Sequence, residues 1–339
     1  MSKRSRWKKL RRIEELEAQQ DTSLEEHPVR ALEAGPHRHH DSKYTGIKGI
    51  YFNRYRLLLI FPLVLLLLAI IQIGYQTATT GEFLHKGVSL KGGVTITIAS
   101  DEAAQIDSAS LLSKLLQQFP KHDISVKKIR ISGEAAGLIV EADIPEDDSQ
   151  VLDDFIAAIE AGTSISRDDF SVELMGSSLG ASFFRETFIA VFIAFLFMAI
   201  VVFIYFRTFV PSIAVVFCAF SDIVITLAIA NIIGIKLSTA GIAAFLMLIG
   251  YSVDTDILLS THILKRKEGS VNDRLIHASK TGMMMTLTTL AAVTVCLIVS
   301  ESDVLRQIMT ILLIGLIVDI INTWIQNVAI LKIYLEKTK

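Results

Sequence analysis

The stretch LIGYSVDTDILLS (248–260) places two carboxylates, Asp254 and Asp256, inside a run of residues apolar enough to cross a membrane. An isolated charge at the centre of a spanning helix costs roughly 2.5–3.5 kcal/mol on insertion scales. Ionisable groups at such depth usually face the bundle interior or a water-filled cavity, and they often mark ion pathways. Three more belong to the same set. Asp222 lies near the middle of an earlier apolar run, Asp319 inside a later one, and Lys280 at the mouth of another. Asn231, Asn322, Gln326 and the run TLTTL (286–290) add hydrogen-bonding capacity.

Two chemistries fit these residues. Burial favours the neutral form of a carboxyl group and a nearby cation favours the charged form. An acid moving towards and away from Lys280 would therefore load and unload a proton. One elementary charge crossing 100 mV is worth about 2.3 kcal/mol, enough to bias a conformational step. In the other reading the acids pair with Lys280 or with amides and only fix helix packing. At 3.6 residues per turn, Asp254 and Asp256 point to nearly opposite sides of their helix. Asp254 shares a stripe with Met247, Gly250, Tyr251, Leu258 and Thr261, where the small Gly250 admits a close neighbour. Asp256 shares its face with Ser252 and Ser260. Asp254 and Lys280 lead as proton-relay candidates; Asp256, Asp222 and Asp319 follow.

These residues need a membrane scaffold, and the composition supplies one. The chain has 339 residues, 51% of them apolar, and a mean hydropathy of +0.49. That is too apolar for an ordinary soluble domain and points to several spans. Apolar runs cover 57–75, 188–206, about 211–233, 237–260, 282–300 and 304–331. Each has about 19 residues or more, enough to cross a hydrocarbon core of about 30 Å. Arg54, Arg56, Arg207, Lys265, Arg266, Lys267, Arg274, Lys280, Lys332, Lys337 and Lys339 all fall on one side of a six-span topology. The other side carries only Lys236 in its short loops, so the positive-inside rule puts both termini in the cytoplasm.

The expected organisation is a basic and polar cytoplasmic tail over 1–56 and a first span over 57–77. An extracytoplasmic domain over 78–187 follows, then a bundle of spans two to six over 188–334 and a cytoplasmic end at 335–339. In the outer domain, GGVTITIAS (92–100) alternates so that Val94, Ile96 and Ile98 share a face, as in a strand. DSASLLSKLLQQF (107–119) reads as a helix capped by Asp107 or Ser108, and DDSQVLDDFIAAIEAG (147–162) as a second helix ending at Gly162. ISVKKIRIS (124–132), GLIVEADI (137–144) and FSVELMG (170–176) read as strands. The order βαββαβ is that of a ferredoxin-like unit. The predicted fold class is thus a six-helix membrane protein with an α+β ferredoxin-like domain between spans one and two.

Several functions are not supported. Cys218 and Cys296 lie within apolar runs and form neither a CxxC motif nor a disulfide framework. HRHH (37–40) lacks the supporting ligand spacing of a metal site. There is no Walker-type GxxxxGK[ST] loop and no catalytic constellation, so neither a cofactor, an enzymatic activity nor a nucleic-acid partner is expected. The basic start resembles a signal-peptide n-region, but no apolar core follows it within reach. Ser5–Gln19 reads either as an amphipathic helix on anionic membrane lipid or as a solvated tail.

Three motifs, in order, resemble the SecF branch of the SecD/SecF protein-export family, of archaeal type. FLHKGVSLKGGVTITI (83–98) is similar to the family's Gly-Gly signature, IGYSVDTDILLSTHILKRK (249–267) to its fourth-span motif, and ASKTGMMMTLTTL (278–290) to the start of its fifth span. The likeness covers about 45–339. It implies the fold of the resistance–nodulation–division exporters, use of the proton-motive force, and a role in late protein translocation. It also implies three partners: a SecD-like six-span subunit, the Sec channel and the unfolded exported polypeptide. Carried over by position, Asp254 falls on the acid of the fourth-span motif. Asp256 is a rival, because bacterial relatives shift that acid by one place. Lys280 stands where they have an Arg, keeping the charge and losing the bidentate fork. Ser89 stands where relatives often place an Asp. The alternatives are a half-transporter for lipids or small hydrophobic molecules and a non-energised scaffold of the channel.

Overall fold

The computed structural model describes residues 54–131, 134–145, 147–265, 270–300 and 302–338. The tail with its 5–19 segment and HRHH lies outside the described residues, as do Arg266, Lys267 and Lys339. The described chain opens with α1 (Tyr55–Thr80), which ends where Gly81 takes φ +75°. A single turn, α2 (Val88–Lys91), leads into β1 (Gly93–Ile98). Then come α3 (Asp101–Gln105), α4 (Ser108–Gln118), β2 (Ile124–Ile131), β3 (Glu134–Ala142), α5 (Ser149–Thr163) and β4 (Phe170–Met175). Five long apolar helices follow: α6 (Ser177–Phe206), α7 (Phe209–Ile233), α8 (Thr239–Leu264), α9 (Val271–Val299) and α10 (Val304–Lys337). With α1 they make six helices, among the described residues, that are long and apolar enough to cross a membrane.

The sheet runs in the order β2-β3-β1-β4, with every neighbouring pair antiparallel. Strand order and connectivity are those of the split βαβ unit. Val94, Ile96 and Ile98 share one face and are fully buried, together with Leu111 and Leu115 of α4 and Phe155 and Ile159 of α5. Burying each such side chain is worth about 1.5–3 kcal/mol, and this core holds the helices on the sheet. Asp107 caps α4 by accepting from the amides of Ala109 and Ser110, and Asp148 caps α5 by accepting from that of Val151.

Several boundaries differ from those read in the sequence. Helix α5 runs past Gly162 to Thr163, and Ser164 takes the left-handed turn at φ +59°. Helix α6 starts at Ser177 and α9 at Val271, 11 residues ahead of the apolar runs at 188 and 282. Hydropathy marks where a helix becomes apolar, whereas caps and packing decide where it begins. Ser270 and Asp273 form a reciprocal capping box at the start of α9. The first turn of α6 rests against Gly92, so closely that a side chain at Gly180 would meet the Gly92 amide.

The sheet domain is bonded to the helical bundle at the α7–α8 turn. Leu237 donates its amide to the His85 carbonyl (2.7 Å), and its own carbonyl accepts from the Gly87 amide (2.8 Å). Asn231 donates to the Phe83 carbonyl, and Lys236 Nζ reaches Asp123 Oδ1 at 2.6 Å. Ser89 Oγ accepts from the Thr239 amide at the first residue of α8. A segment the sequence marked only by its double glycine is therefore the seat of the sheet domain on α8.

Candidate functional site: a buried acid cluster

Three helices bring the acids together because small residues let them approach. Gly315 of α10 lies against Leu248 of α8, and Gly282 of α9 against the Trp324 ring of α10, so closely that a side chain at either glycine would displace its neighbour. Helix α10 also contains a π-helical turn, Asn322–Asn327. Such turns are inserted into α-helices frequently at functional sites. Here it carries Asn322, Thr323, Gln326 and Asn327, all of them buried.

Asp222 of α7 and Asp256 of α8 have no exposed surface, and Asp319 of α10 is 1% exposed. Ser252 of α8 donates to Asp222 Oδ2 at 2.5 Å, and Asn322 Nδ2 donates to Asp222 Oδ1 at 2.7 Å. Asn327 Nδ2 donates to Asp256 Oδ1 at 2.7 Å. The Thr323 hydroxyl lies 3.0 Å from Asp256 Oδ1 and 3.0 Å from Asp319 Oδ1. Gln326 donates to Ser221, and Cys218 Sγ lies 4.0 Å from Thr323 Oγ1. Asp256 Oδ2, Asp319 Oδ2 and the side-chain oxygens of Asn322 and Asn327 are buried without a protein partner. Among the described residues, no ion pair reaches any of the three acids.

The order of the candidates changes accordingly. Asp254 is exposed on the outer side of α8, and Lys280 is exposed on α9 beside a shallow groove with Thr281, Met284 and Thr288. No ion pair joins them. Asp254 and Asp256 lie on opposite sides of α8, as their spacing predicts, and it is Asp256 that faces the interior. Asp256, Asp222 and Asp319 form one connected site, whereas Asp254 and Lys280 stand outside it. Thr323 and Asn327 were missed. Their signal was present in NTWIQN, where four polar side chains interrupt an otherwise apolar span at i, i+1, i+4 and i+5. Clusters of three or more His, Cys, Asp or Glu side chains arranged to hold a metal ion do not occur among the described residues.

What the cluster can do follows from its charge. Three ionised carboxylates in a low-dielectric interior repel one another, and burial penalises each further. The free oxygens of Asp256 and Asp319 are places where a proton or a cation can be accepted.

Comparison with known proteins defines the class first. The chain aligns with the crystal structure of SecDF from Thermus thermophilus, described as a translocon-associated membrane protein, with a TM-score of 0.64 at 17% identity. It aligns with SecDF in its super-membrane-facing form with a TM-score of 0.52 at 16% identity. At such identities the likeness is one of fold: 85% of this chain is covered, and it spans 38% and 39% of those chains. Sequence likeness is closer. The chain is 39% identical over 290 residues to the protein-export membrane protein SecF of Methanolacinia petrolearia, covering 84% of this chain and 96% of that one. It is 38% identical over 288 residues to SecF of Methanocaldococcus jannaschii, with the same coverage of each. Residues 156–337 match the family model for the C-terminal part of the protein-export membrane proteins SecD and SecF. The chain belongs to the SecD/SecF family of protein-export membrane proteins, and these relatives are archaeal SecF proteins.

Proposed function

We propose that this chain is the SecF-like subunit of a SecD–SecF complex in the cytoplasmic membrane, with both termini in the cytoplasm and the sheet domain outside. It assists the passage of unfolded polypeptides through the Sec channel and draws on the proton-motive force through Asp222, Asp256 and Asp319. The observation that carries this reading is the cluster itself: three fully buried, hydrogen-bonded acids with no ion-pair partner among the described residues. A proton arriving there changes the charge between α7, α8 and α10. Helix α8 begins where Thr239 and Leu237 bind the base of the sheet domain. A tilt of α8 is therefore delivered to the domain that faces the emerging chain. One six-span half supplies one side of a rocking pair, and a SecD-like subunit supplies the other.

The test is the export rate of a secreted reporter in cells carrying the wild-type protein, Asp256→Asn or Asp254→Asn at equal membrane abundance. The reading expects Asp256→Asn to export no better than cells without the protein, and Asp254→Asn to retain most of the rate. Wild-type export by Asp256→Asn would remove proton coupling through this cluster.

A further inference from the structure

We propose that the Thr323 hydroxyl is a relay through which Asp319 of α10 and Asp256 of α8 share a single proton. The proposal rests on the reading of the cluster as an ion-linked site and deepens it. Thr323 Oγ1 is equidistant, at 3.0 Å, from Asp256 Oδ1 and Asp319 Oδ1. A hydroxyl carries one hydrogen and can donate once, while its oxygen can accept. An ionised carboxylate can only accept. Both contacts are hydrogen bonds only if one of the two carboxyl groups carries a proton and donates it to Thr323. Asp256 Oδ1 already accepts from Asn327 Nδ2 at 2.7 Å, which suits an ionised oxygen. Asp319 in turn lies against Ser252 and Asp222. With the proton on Asp319 the chain runs Asp319 O–H to Thr323 O–H to Asp256 O⁻, and with it on Asp256 the chain runs the other way.

That chain can reverse its polarity. The Asp319 proton passes to Thr323 Oγ1 as the Thr323 proton passes to Asp256 Oδ1. One O–H bond breaks and one forms at Thr323, which is unchanged, and a proton has moved from α10 to α8. The other titratable groups at this point are Asp222, which is held by Ser252 and Asn322 and lies against Asp319, and Cys218, which lies against Asp256 and 4.0 Å from Thr323. Asp256 Oδ2 and Asp319 Oδ2, buried and without a protein partner, leave each acid a second oxygen for proton entry and exit. Thr323 has no exposed surface, so bulk water does not substitute for its hydroxyl.

The test uses the full chain in lipid nanodiscs and the infrared band of protonated carboxyl groups, followed over a pH titration. Wild type is expected to show a band that Asp319→Asn removes. Thr323→Val, nearly isosteric but without the hydroxyl, is expected to move the band and shift its titration midpoint by roughly one pH unit or more, about tenfold in proton affinity. Thr323→Ser is expected to restore both. Thr323→Ala serves as a second hydroxyl-free variant should the valine not assemble. A wild-type spectrum without such a band, or hydroxyl-free variants that titrate like wild type, would overturn the relay. So would loss of the band on adding sodium at constant pH, which would assign the site to a metal cation. Failure of the relay is separable from failure of proton-driven export, because the band is read without any export assay.

Discussion

Ser252 of α8 and Asp222 of α7 meet across 2.5 Å, oxygen to oxygen, with no surface of either exposed. A hydroxyl this close to a carboxylate forms a charge-assisted hydrogen bond, about twice as strong as a neutral one. Ser252→Ala leaves a buried acceptor unmatched and is expected to cost about 1–3 kcal/mol. The measurement is the thermal unfolding midpoint of the purified protein in detergent, which should fall. An unchanged midpoint would mean that Asp222 does not depend on this donor.

The opposite result is expected two turns further along α8. Ser260 has no exposed surface and its hydroxyl has no partner. Removing a buried polar group that is already unsatisfied relieves a desolvation cost. Ser260→Ala should be neutral or stabilising in the same melt, and a clear loss would point to a partner for the hydroxyl outside this chain.

At the seat of the sheet domain, charge and shape should contribute unequally. The Lys236–Asp123 pair is short, but its side chains are 27% and 47% exposed, and pairs of this kind are worth about 0–1 kcal/mol. Lys236→Ala is expected to shift the melt little, and less still in high salt. Gly180→Val drives a side chain into the backbone of Gly92 and is expected to cost about 1–3 kcal/mol. Faster proteolysis within the sheet domain should accompany it.

A tether can show whether that seat moves. Ser89 Oγ and the Thr239 amide are 3.4 Å apart, so cysteines at both positions lie within reach of a short bis-maleimide. If the sheet domain swings as one body with α8, cross-linking Ser89→Cys to Thr239→Cys leaves reporter export near the uncross-linked rate. Arrest of export by the tether would place a hinge at this contact instead.

Much of the architecture could be read directly. Alternation in 94–98 and the Asp107 cap specified β1 and α4, and hydropathy found six spans, whereas the short α3 went unread. The rotational phase of α8 could not be read. Periodicity says that Asp254 and Asp256 diverge, but one face carries Gly250 and Thr261 and the other Ser252 and Ser260, so neither is marked as the inner one. Burial comes from α7 and α10, which are distant in sequence. Asp222 and Asp319 pose the same difficulty: each is a single acid on its own helix in the sequence, and only packing brings Asn322 to Asp222 and Asp256 to Thr323 beside Asp319. A π-turn is harder still, since it alters the register of α10 by a geometry that composition does not encode.

The division of the acid cluster among helices has a consequence for how the protein is made. Asp222, Asp256 and Asp319 enter the bilayer one at a time, each on its own segment, and each costs roughly 2.5–3.5 kcal/mol if it stays alone. The α7–α8 hairpin can satisfy Asp222 at once, because Ser252 arrives with it. Asp256 finds Asn327 and Thr323 only when the final helix is inserted. A nascent chain that stops after α9 thus holds an unmatched acid in its membrane core. Helix α10 closes a cluster that α7 and α8 open, and a quality-control protease would meet a product that ends between α8 and α10 with that acid still unpaired.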